Sequence, residues 1–249
     1  MKLSVVIPAR NEAGSIEATL ASLTRVLRRE SIDHEIIVAD DGSTDATAES
    51  VRGYARAGDN VTLVPVSGPH GYGYAVRAGL AHTHGDAAAI MMADGSDSAE
   101  DLVRYWRKIE EGYDCVFGSR FLSGSRVTDY PAHKMILNRL ANWFIQALFG
   151  LRYNDVTNAF KCYRREAIEG MQPLISPHFN LTVEMPLKAI IRGYSYAVIP
   201  ICWENRRTGI SKLKLQEMGS RYLFIVLYLW LEKLLSRGDY RRGRTTTAF

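Results

Sequence analysis

Ile90-Met91-Met92-Ala93-Asp94-Gly95-Ser96-Asp97 is an apolar run that breaks abruptly into two carboxylates. A continuous apolar run of strand length suits the middle of a parallel sheet covered on both faces. Its polar end then lies where open α/β sheets bind ligands, outside the carboxyl ends of the strands. Hard cations such as Mg²⁺ and Mn²⁺ take oxygen ligands, and a carboxylate or two beside substrate phosphates supplies them. The same residues also suit a solvated turn and helix cap, because Asp, Gly and Ser are turn formers. Their company along the chain decides between the two.

The pattern recurs through the first half. Residues 3–7 read as a buried strand, followed by a loop from Pro8 to Ala13; Ser15 reads as an N-cap, with Ile16, Leu20 and Leu23 on one helical face. Residues 35–39 are a second apolar run, followed by Asp40-Asp41-Gly42-Ser43-Thr44-Asp45 and a helix to about residue 57. A strand at 61–66 precedes His70-Gly71-Tyr72-Gly73-Tyr74, which opens another helix, and the strand at 87–92 leads into the acidic turn. A helix at 101–111 and a strand at 114–118 complete the series. Strands alternating with helices predict an α/β fold with a sheet covered on both faces.

The second half is less regular. Residues 133–150 have helical spacing, with Ile136, Leu140, Phe144 and Leu148 apolar and Lys134, Asn138 and Arg139 polar. A helix at 184–191, a strand at 197–202 and a basic loop at 204–214 follow. The most apolar segment is 222–231, far short of the roughly 20 residues that span a bilayer. It reads either as a buried terminal helix or as a helix lying in a membrane interface. Tyr222, Tyr228 and Trp230 favour the second reading, as do Lys233, Arg237, Arg241, Arg242 and Arg244 after them. The division expected is one catalytic-type domain over 1–218 and a terminal helix with a basic tail over 219–249.

Composition sets the outer bounds. The chain has 249 residues, 47% of them hydrophobic, enough for a substantial core. A net charge of +4 is too mild to indicate nucleic acid. Cys115, Cys162 and Cys202 have no metal-binding spacing and read as core or near-core thiols of a reducing compartment. The first apolar run is too short for a leader and ends at Pro8, so no signal peptide is expected.

In order, Ser4-Val5-Val6-Ile7-Pro8-Ala9-Arg10-Asn11-Glu12, Val38-Ala39-Asp40-Asp41-Gly42-Ser43-Thr44-Asp45 and the strand ending at Asp94 resemble an inverting family 2 glycosyltransferase. Within that family they most resemble the dolichyl-phosphate mannose synthases and bacterial polyprenyl-phosphate glycosyltransferases. The resemblance implies a GT-A-type, Rossmann-like sheet, mixed and mostly parallel, with flanking helices. It implies a base and ribose pocket at Pro8, Arg10 and Glu12, with Asp40 and Asp41 at the second strand end and Asp40 the direct contact. Gly71 falls in the family's glycine-containing loop beside the nucleotide, and Ala93, Asp94 and Ser211 complete the donor set.

The metal motif departs from the family pattern. With Glu100 aligned on the acidic residue that follows it, Asp94 becomes the second Asp of Asp-x-Asp and Met92 takes the place of the first. A thioether is a poor ligand for a hard cation. Two arrangements stay open: Asp94 holds Mg²⁺ or Mn²⁺ with Ser96, water and the diphosphate, or Asp97 replaces the missing carboxylate.

The remaining motifs concern the acceptor and the leaving group. Gly118-Ser119-Arg120 matches a Gly-Ser-Arg of the polyprenyl-phosphate enzymes, which implies that Arg120, Lys134 and Asn138 face the acceptor phosphate. Lys134 stands where relatives often carry Arg. The segment from Asp155 to Phe160 resembles Asp-x-x-x-Gly-Phe with Ala159 for Gly, and Glu184 aligns with the acidic residue of the next helix. Either carboxylate can orient the donor sugar; Glu184 equally suits a structural role. Arg206-Arg207-Thr208-Gly209-Ile210-Ser211-Lys212 resembles the Arg-x-x-Gly-x-Ser-Lys loop that closes over the diphosphate. The implied catalytic set is Asp94, Arg120, Arg206 and Lys212.

The expected reaction transfers a hexosyl unit from a nucleotide diphospho-sugar to a polyprenyl phosphate with inversion. Expected partners are that donor, the lipid phosphate, a divalent cation, and a membrane surface or integral-membrane protein, with the chain peripheral at the cytoplasmic face. A phosphate acceptor is already anionic and needs no strong base. A hydroxyl acceptor would need one, with Asp155 or Glu184 the candidates. A non-catalytic nucleotide-sugar-binding protein is the third reading, suggested by Met92.

Overall fold

The computed structural model describes residues 1–56, 60–205 and 215–243, with the backbone alone for 215–218. The expected diphosphate-loop residues Arg206, Ser211 and Lys212, and Arg244 of the tail, lie outside the described residues.

The first half alternates as read: β1 (Leu3–Ala9), α1 (Ile16–Arg29), β2 (His34–Asp40), α2 (Thr47–Arg56), β3 (Val61–Pro65), α3 (Tyr72–Leu80), β4 (Ala87–Ile90), α4 (Ala99–Glu110) and β5 (Cys115–Ser119). The second half adds β6 (Arg126–Thr128), α5 (Ala132–Phe149), β7 (Lys161–Arg164), α6 (Arg165–Gly170), α7 (Leu181–Ile191), β8 (Tyr196–Pro200), β9 (Cys202–Glu204) and α8 (Leu215–Leu235). The main sheet has seven strands in the order β3-β2-β1-β4-β7-β5-β8. All its pairs are parallel except those of β7, which runs antiparallel between β4 and β5. The sheet is therefore mixed and mostly parallel, as expected, and β6 and β9 form a separate parallel pair.

Strand periodicity divides the core in two. Val116 joins α1 and α4 on one face of the sheet, while Cys115 and Phe117 join α5, α7 and α8 on the other. Cys115 and Cys162 are buried free thiols, as read, and Cys202 is half-buried.

Two helices keep an apolar side in water. On α5 the stripe Ile136, Leu140 and Phe144 points outward, at 56%, 58% and 41% exposure, and the buried side carries Asn142, Ile145 and Phe149. On α8, Ile225, Val226 and Leu229 pack into the second core, while Leu223, Phe224, Leu227, Leu231 and Leu234 are exposed. One face of the segment is therefore buried, as the terminal-helix reading expects, and the other is exposed. The helix crosses the expected boundary at 218/219 without a break. Among the described residues no helix is long and apolar enough to cross a membrane. The tail folds back: Arg242, counted above with the basic flank, pairs with Asp114 at 2.7 Å and Glu166 at 3.1 Å.

At the opposite end of the sheet from the acidic turns, Glu35 is the second residue of β2. It accepts hydrogen bonds from the Ser4 hydroxyl at 2.6 Å, the His84 amide at 2.6 Å and Lys2 at 3.1 Å. Burial disfavours its charge, but these bonds outweigh it and pull the carboxyl from 4.5 to about 2. A depressed pKa stabilises the fold above the unfolded value and is lost as pH falls from 4.5 towards 2. We expect Glu35→Gln to cost about 2 kcal/mol at neutral pH, with the deficit shrinking across that window. Urea unfolding of both proteins as a function of pH measures it; a deficit constant down to the lower limit would contradict the linkage.

Candidate active site

The donor end is built where β1 and β2 stop. Pro8, expected in the loop after the first strand, lies within β1, paired with Ala39. Val6 turns its carbonyl towards β4, where it accepts the Met91 amide, and pairing with β4 ends there. Pro8 has its nitrogen on the same side, two residues on, so no ladder partner is lost. Asn11 then takes a left-handed conformation at φ 54°, which Asn tolerates. Its side chain accepts the Thr44 amide at 2.7 Å, and its amide donates to Ser43 at 3.0 Å. Glu12 is half-buried, and its amide donates to the Thr47 hydroxyl at 2.8 Å. These bonds zip the loops after β1 and β2 into one rim. Asp45 caps it: burial opposes its charge, but the Thr47 hydroxyl and amide and the Ala13 amide hold its carboxyl below the usual range.

Asp40 and Asp41 diverge. Asp40 accepts the Ser43 amide at 3.1 Å and so closes the turn that follows β2. Asp41, 5% exposed, is the hub of the rim. Its carboxylate receives the Gly71 amide and a His70 ring nitrogen, both at 3.1 Å, and Arg10 at 3.6 Å. His70 was not singled out from sequence as a site residue; its one signal was its place in the glycine motif, and its ring lies over Gly42.

That motif has a packing cause. A Cβ on Gly71 would sit 2.5 Å from the Pro177 carbonyl oxygen, and one on Gly73 only 2.1 Å from that of Ser176. The Gly73 amide donates to Pro177 at 3.0 Å, and Phe179 stacks on Tyr72 at 4.3 Å. The segment 176–180 thus lies directly on the start of α3. Gly73→Ala should cost roughly 2–3 kcal/mol or more, because backbone cannot yield to the new methyl. Gly53→Ala, on α2 with nothing within 4 Å, should be neutral or slightly stabilising. Thermal unfolding of the pair checks this; equal stabilities would refute the close approach.

The acidic turn follows β4 through Met91, Met92 and Ala93. Thr19 donates to the Ala93 carbonyl at 3.0 Å, and Gly95 takes φ 73°. Asp94 is half-buried and accepts the Ser96 amide at 3.1 Å. Asp97, 7% exposed, accepts the Met92 amide at 3.0 Å. Burial chiefly, and the neighbouring charge of Asp94, push the Asp97 carboxyl up to about 7 against that hydrogen bond. Ser96 is buried, and its carbonyl accepts the Glu204 amide, which ties the turn to β9. Among the described residues no three His, Cys, Asp or Glu side chains converge as a standing metal site. Asp94, Asp97 and Ser96 nevertheless offer hard oxygen atoms, and a buried carboxylate whose charge its neighbour disfavours suits a cation that arrives with a diphosphate.

Beyond β5, Arg120 and Asp155 form a buried pair, 8% and 0% exposed. Two guanidinium nitrogens reach the carboxylate at 2.8 and 2.7 Å, and the Arg120 amide donates to it at 2.9 Å. Burial works against the charge of Arg120, but Asp155 outweighs it and raises the pKa. The remaining nitrogen points to the Tyr130 hydroxyl at 3.4 Å, and the guanidinium lies against the rings of Tyr130 and Trp203. Asn138 donates to the Thr157 hydroxyl at 2.9 Å, beside Asp155 in sequence, and Lys134 is half-buried one helical turn before it. The structure thus ties Arg120 and Asn138 to the segment that begins at Asp155.

Glu184 and Lys161 complete the floor. Glu184 accepts the amides of Ile175 and Ser176 at 2.8 and 2.7 Å and pairs with Lys188, both side chains of the pair being buried. Lys161, missed from sequence, is buried and donates to the carbonyls of Val156 and Thr182 at 3.1 Å each. Burial lowers its pKa to about 7, against the pull of Asp155. Its signal was a lysine set inside the apolar run from Phe160 to Tyr163.

Comparison with known proteins places the chain in a family. A family model described as glycosyl transferase family 2 matches residues 4–171. Polyprenol monophosphomannose synthase of Mycolicibacterium smegmatis is 29% identical over 215 residues, covering 84% of this chain and 80% of that one. Dolichol-phosphate mannosyltransferase of Pyrococcus furiosus is 29% identical over 218 residues; the match covers 86% of this chain and 60% of that protein's length. Glucosyl-3-phosphoglycerate synthase of Mycobacterium tuberculosis, solved with Mn²⁺, uridine diphosphate and phosphoglyceric acid, superposes with a TM-score of 0.69 at 22% identity. That match covers 93% of this chain and 78% of the solved one and shows a shared fold. With a family match over most of the sheet and carboxylates at the ends of β2 and β4, the chain belongs to glycosyl transferase family 2.

Proposed function

We propose that this glycosyltransferase moves a hexosyl unit from a nucleotide diphospho-sugar to a polyprenyl phosphate with inversion. The observation that carries the reading is the state of the acceptor-side carboxylates. Asp155 and Glu184, the bases a hydroxyl acceptor would require, are both fully buried and held by Arg120 and Lys188. A phosphate brings its own anionic nucleophile. Its oxygen bonds to the anomeric carbon as the bond to the nucleotide diphosphate breaks on the opposite face, and no proton has to be removed.

In this reading Arg10, Glu12, Asp40 and Asp41 bind the nucleoside. Asp94, with Asp97 or Ser96, would hold Mg²⁺ or Mn²⁺, which supplies charge neutralisation of the departing diphosphate. The third nitrogen of Arg120, with Lys134 and Asn138, faces the acceptor phosphate, and Arg206, Ser211 and Lys212 would bind and neutralise the diphosphate. The names of the relatives support the lipid acceptor and the mannosyl class. Radiolabelled nucleotide sugars assayed against a polyprenyl phosphate, with product anomer read by NMR, test it. Equal turnover of a soluble hydroxyl acceptor without lipid would overturn it.

A lipid acceptor requires a membrane, and the exposed faces of α5 and α8 support peripheral attachment at the cytoplasmic leaflet or to an integral-membrane partner. Flotation with anionic liposomes should recover the protein at low salt. Ile136→Glu with Leu227→Glu should weaken that recovery at least about tenfold, since burying two added charges in the interface is costly. Unchanged flotation of the folded double variant would remove these faces from the contact.

A further inference from the structure

A cavity of about 350 Å³ lies between the segment 175–180 and the start of α8. A single stretch of chain separates it from the donor end. On one side of that stretch His178 meets Gly71 and Phe179 stacks on Tyr72. Ile175, Ser176, Pro177 and Asn180 line the cavity, and Arg221 and Phe224 close it from α8. Its wall is braced from behind. Glu184 takes the amides of Ile175 and Ser176, and Arg77 donates to the carbonyls of Leu174 and Ser176 at 2.8 and 3.1 Å. These bonds hold in place the backbone of 174–176, which forms one wall of the cavity.

The chemistry of the cavity is specific. Ile175 and Phe224 leave large apolar surface in water, at 39% and 62% exposure. Arg221 puts a cation at the rim. Phe224 also begins the exposed apolar stripe of α8, so the cavity opens onto the face assigned above to the membrane. A matching ligand has a short branched apolar stretch, an anion at one end and a continuation into a bilayer.

We infer that the cavity seats the isoprene units that follow the phosphate of the acceptor, with Arg221 at its rim. The inference rests on the lipid-phosphate reading and adds to it a subsite that recognises the chain as well as the headgroup. It makes the segment 175–180 a two-sided wall, donor on one face and lipid on the other, so that α8 carries the acceptor from the bilayer to the sugar.

The test uses the full chain and a benzophenone-bearing farnesyl phosphate. Irradiation should label peptides spanning 175–180 and 220–224, and unlabelled farnesyl phosphate should compete while inorganic phosphate should not. Ser220→Trp, which fills the cavity, should raise KM for a polyprenyl phosphate roughly tenfold or more, because apolar pockets discriminate on this scale. KM for the donor and liposome flotation should stay unchanged. Labelling confined to α5, labelling indifferent to farnesyl phosphate, or an unmoved acceptor KM in a folded variant would overturn the subsite. Those failures leave wild-type transfer to lipid phosphate intact. A wild type that transfers to no lipid phosphate would overturn both readings together.

Discussion

Asp94→Asn is expected to lower kcat/KM at least about 100-fold, the scale seen when one group that stabilises developing charge is removed. The side chain is half-buried in a turn and accepts the Ser96 amide, a bond that asparagine can keep through its carbonyl oxygen. The fold and the melting temperature should therefore hardly move, and the loss should appear in the metal dependence of turnover. Asp97→Asn separates the two arrangements left open by Met92. Its carboxylate accepts the Met92 amide in the interior, and removing its charge relieves rather than strains the site. A large loss of metal-dependent donor binding in Asp97→Asn would make it the second ligand; near-normal binding would leave Asp94 as the sole carboxylate. Near-normal turnover and metal dependence in Asp94→Asn would sink the assignment altogether. Metal titration of nucleotide diphosphate binding, followed calorimetrically in each variant, gives the readout.

The parallel part of the sheet was legible because its strands are continuous apolar runs that end on polar turns, as at residues 36–41 and 90–97. Its one antiparallel strand was not. β7 is four residues long and has Lys161 at its start, so neither period nor composition marks it as a central strand. What makes it one is tertiary: the Lys161 ammonium is satisfied by two carbonyls of the floor beneath the site. The outward stripe of α5 was likewise hidden, since helical spacing shows that a face is apolar but not which way it turns. At the site, sequence located the acidic ends of β2 and β4, and the resemblance singles out Asp40 as the direct contact, but which oxygen meets Ser43 and which meets His70 and Gly71 depends on how the loops cross. Arg120 and Asp155 were each singled out from motifs. Nothing in a sequence separation of 35 residues announced that they are partners.

That partnership sets the last expectation. Asp155→Ala should destabilise the protein by about 3–5 kcal/mol, because it leaves the Arg120 charge buried without a counterion. The carboxylate also takes the Arg120 amide, so the turn after β5 loses an anchor as well. Replacing both partners, as in Arg120→Met with Asp155→Leu, should recover much of that stability while abolishing transfer, since an apolar pair removes the desolvated charge. Arg120→Lys probes function more gently. It keeps a cation but gives up the planar fork that spans Asp155 while leaving one nitrogen directed at Tyr130. If that nitrogen meets the acceptor phosphate, Arg120→Lys raises the acceptor KM and leaves nucleotide diphosphate affinity as it was. Urea unfolding reports the first effect and steady-state kinetics with each substrate varied reports the second. A donor KM that rises in step with the acceptor KM would show that the pair supports the whole sheet end, and Arg120 would then be a structural residue with no contact to the acceptor.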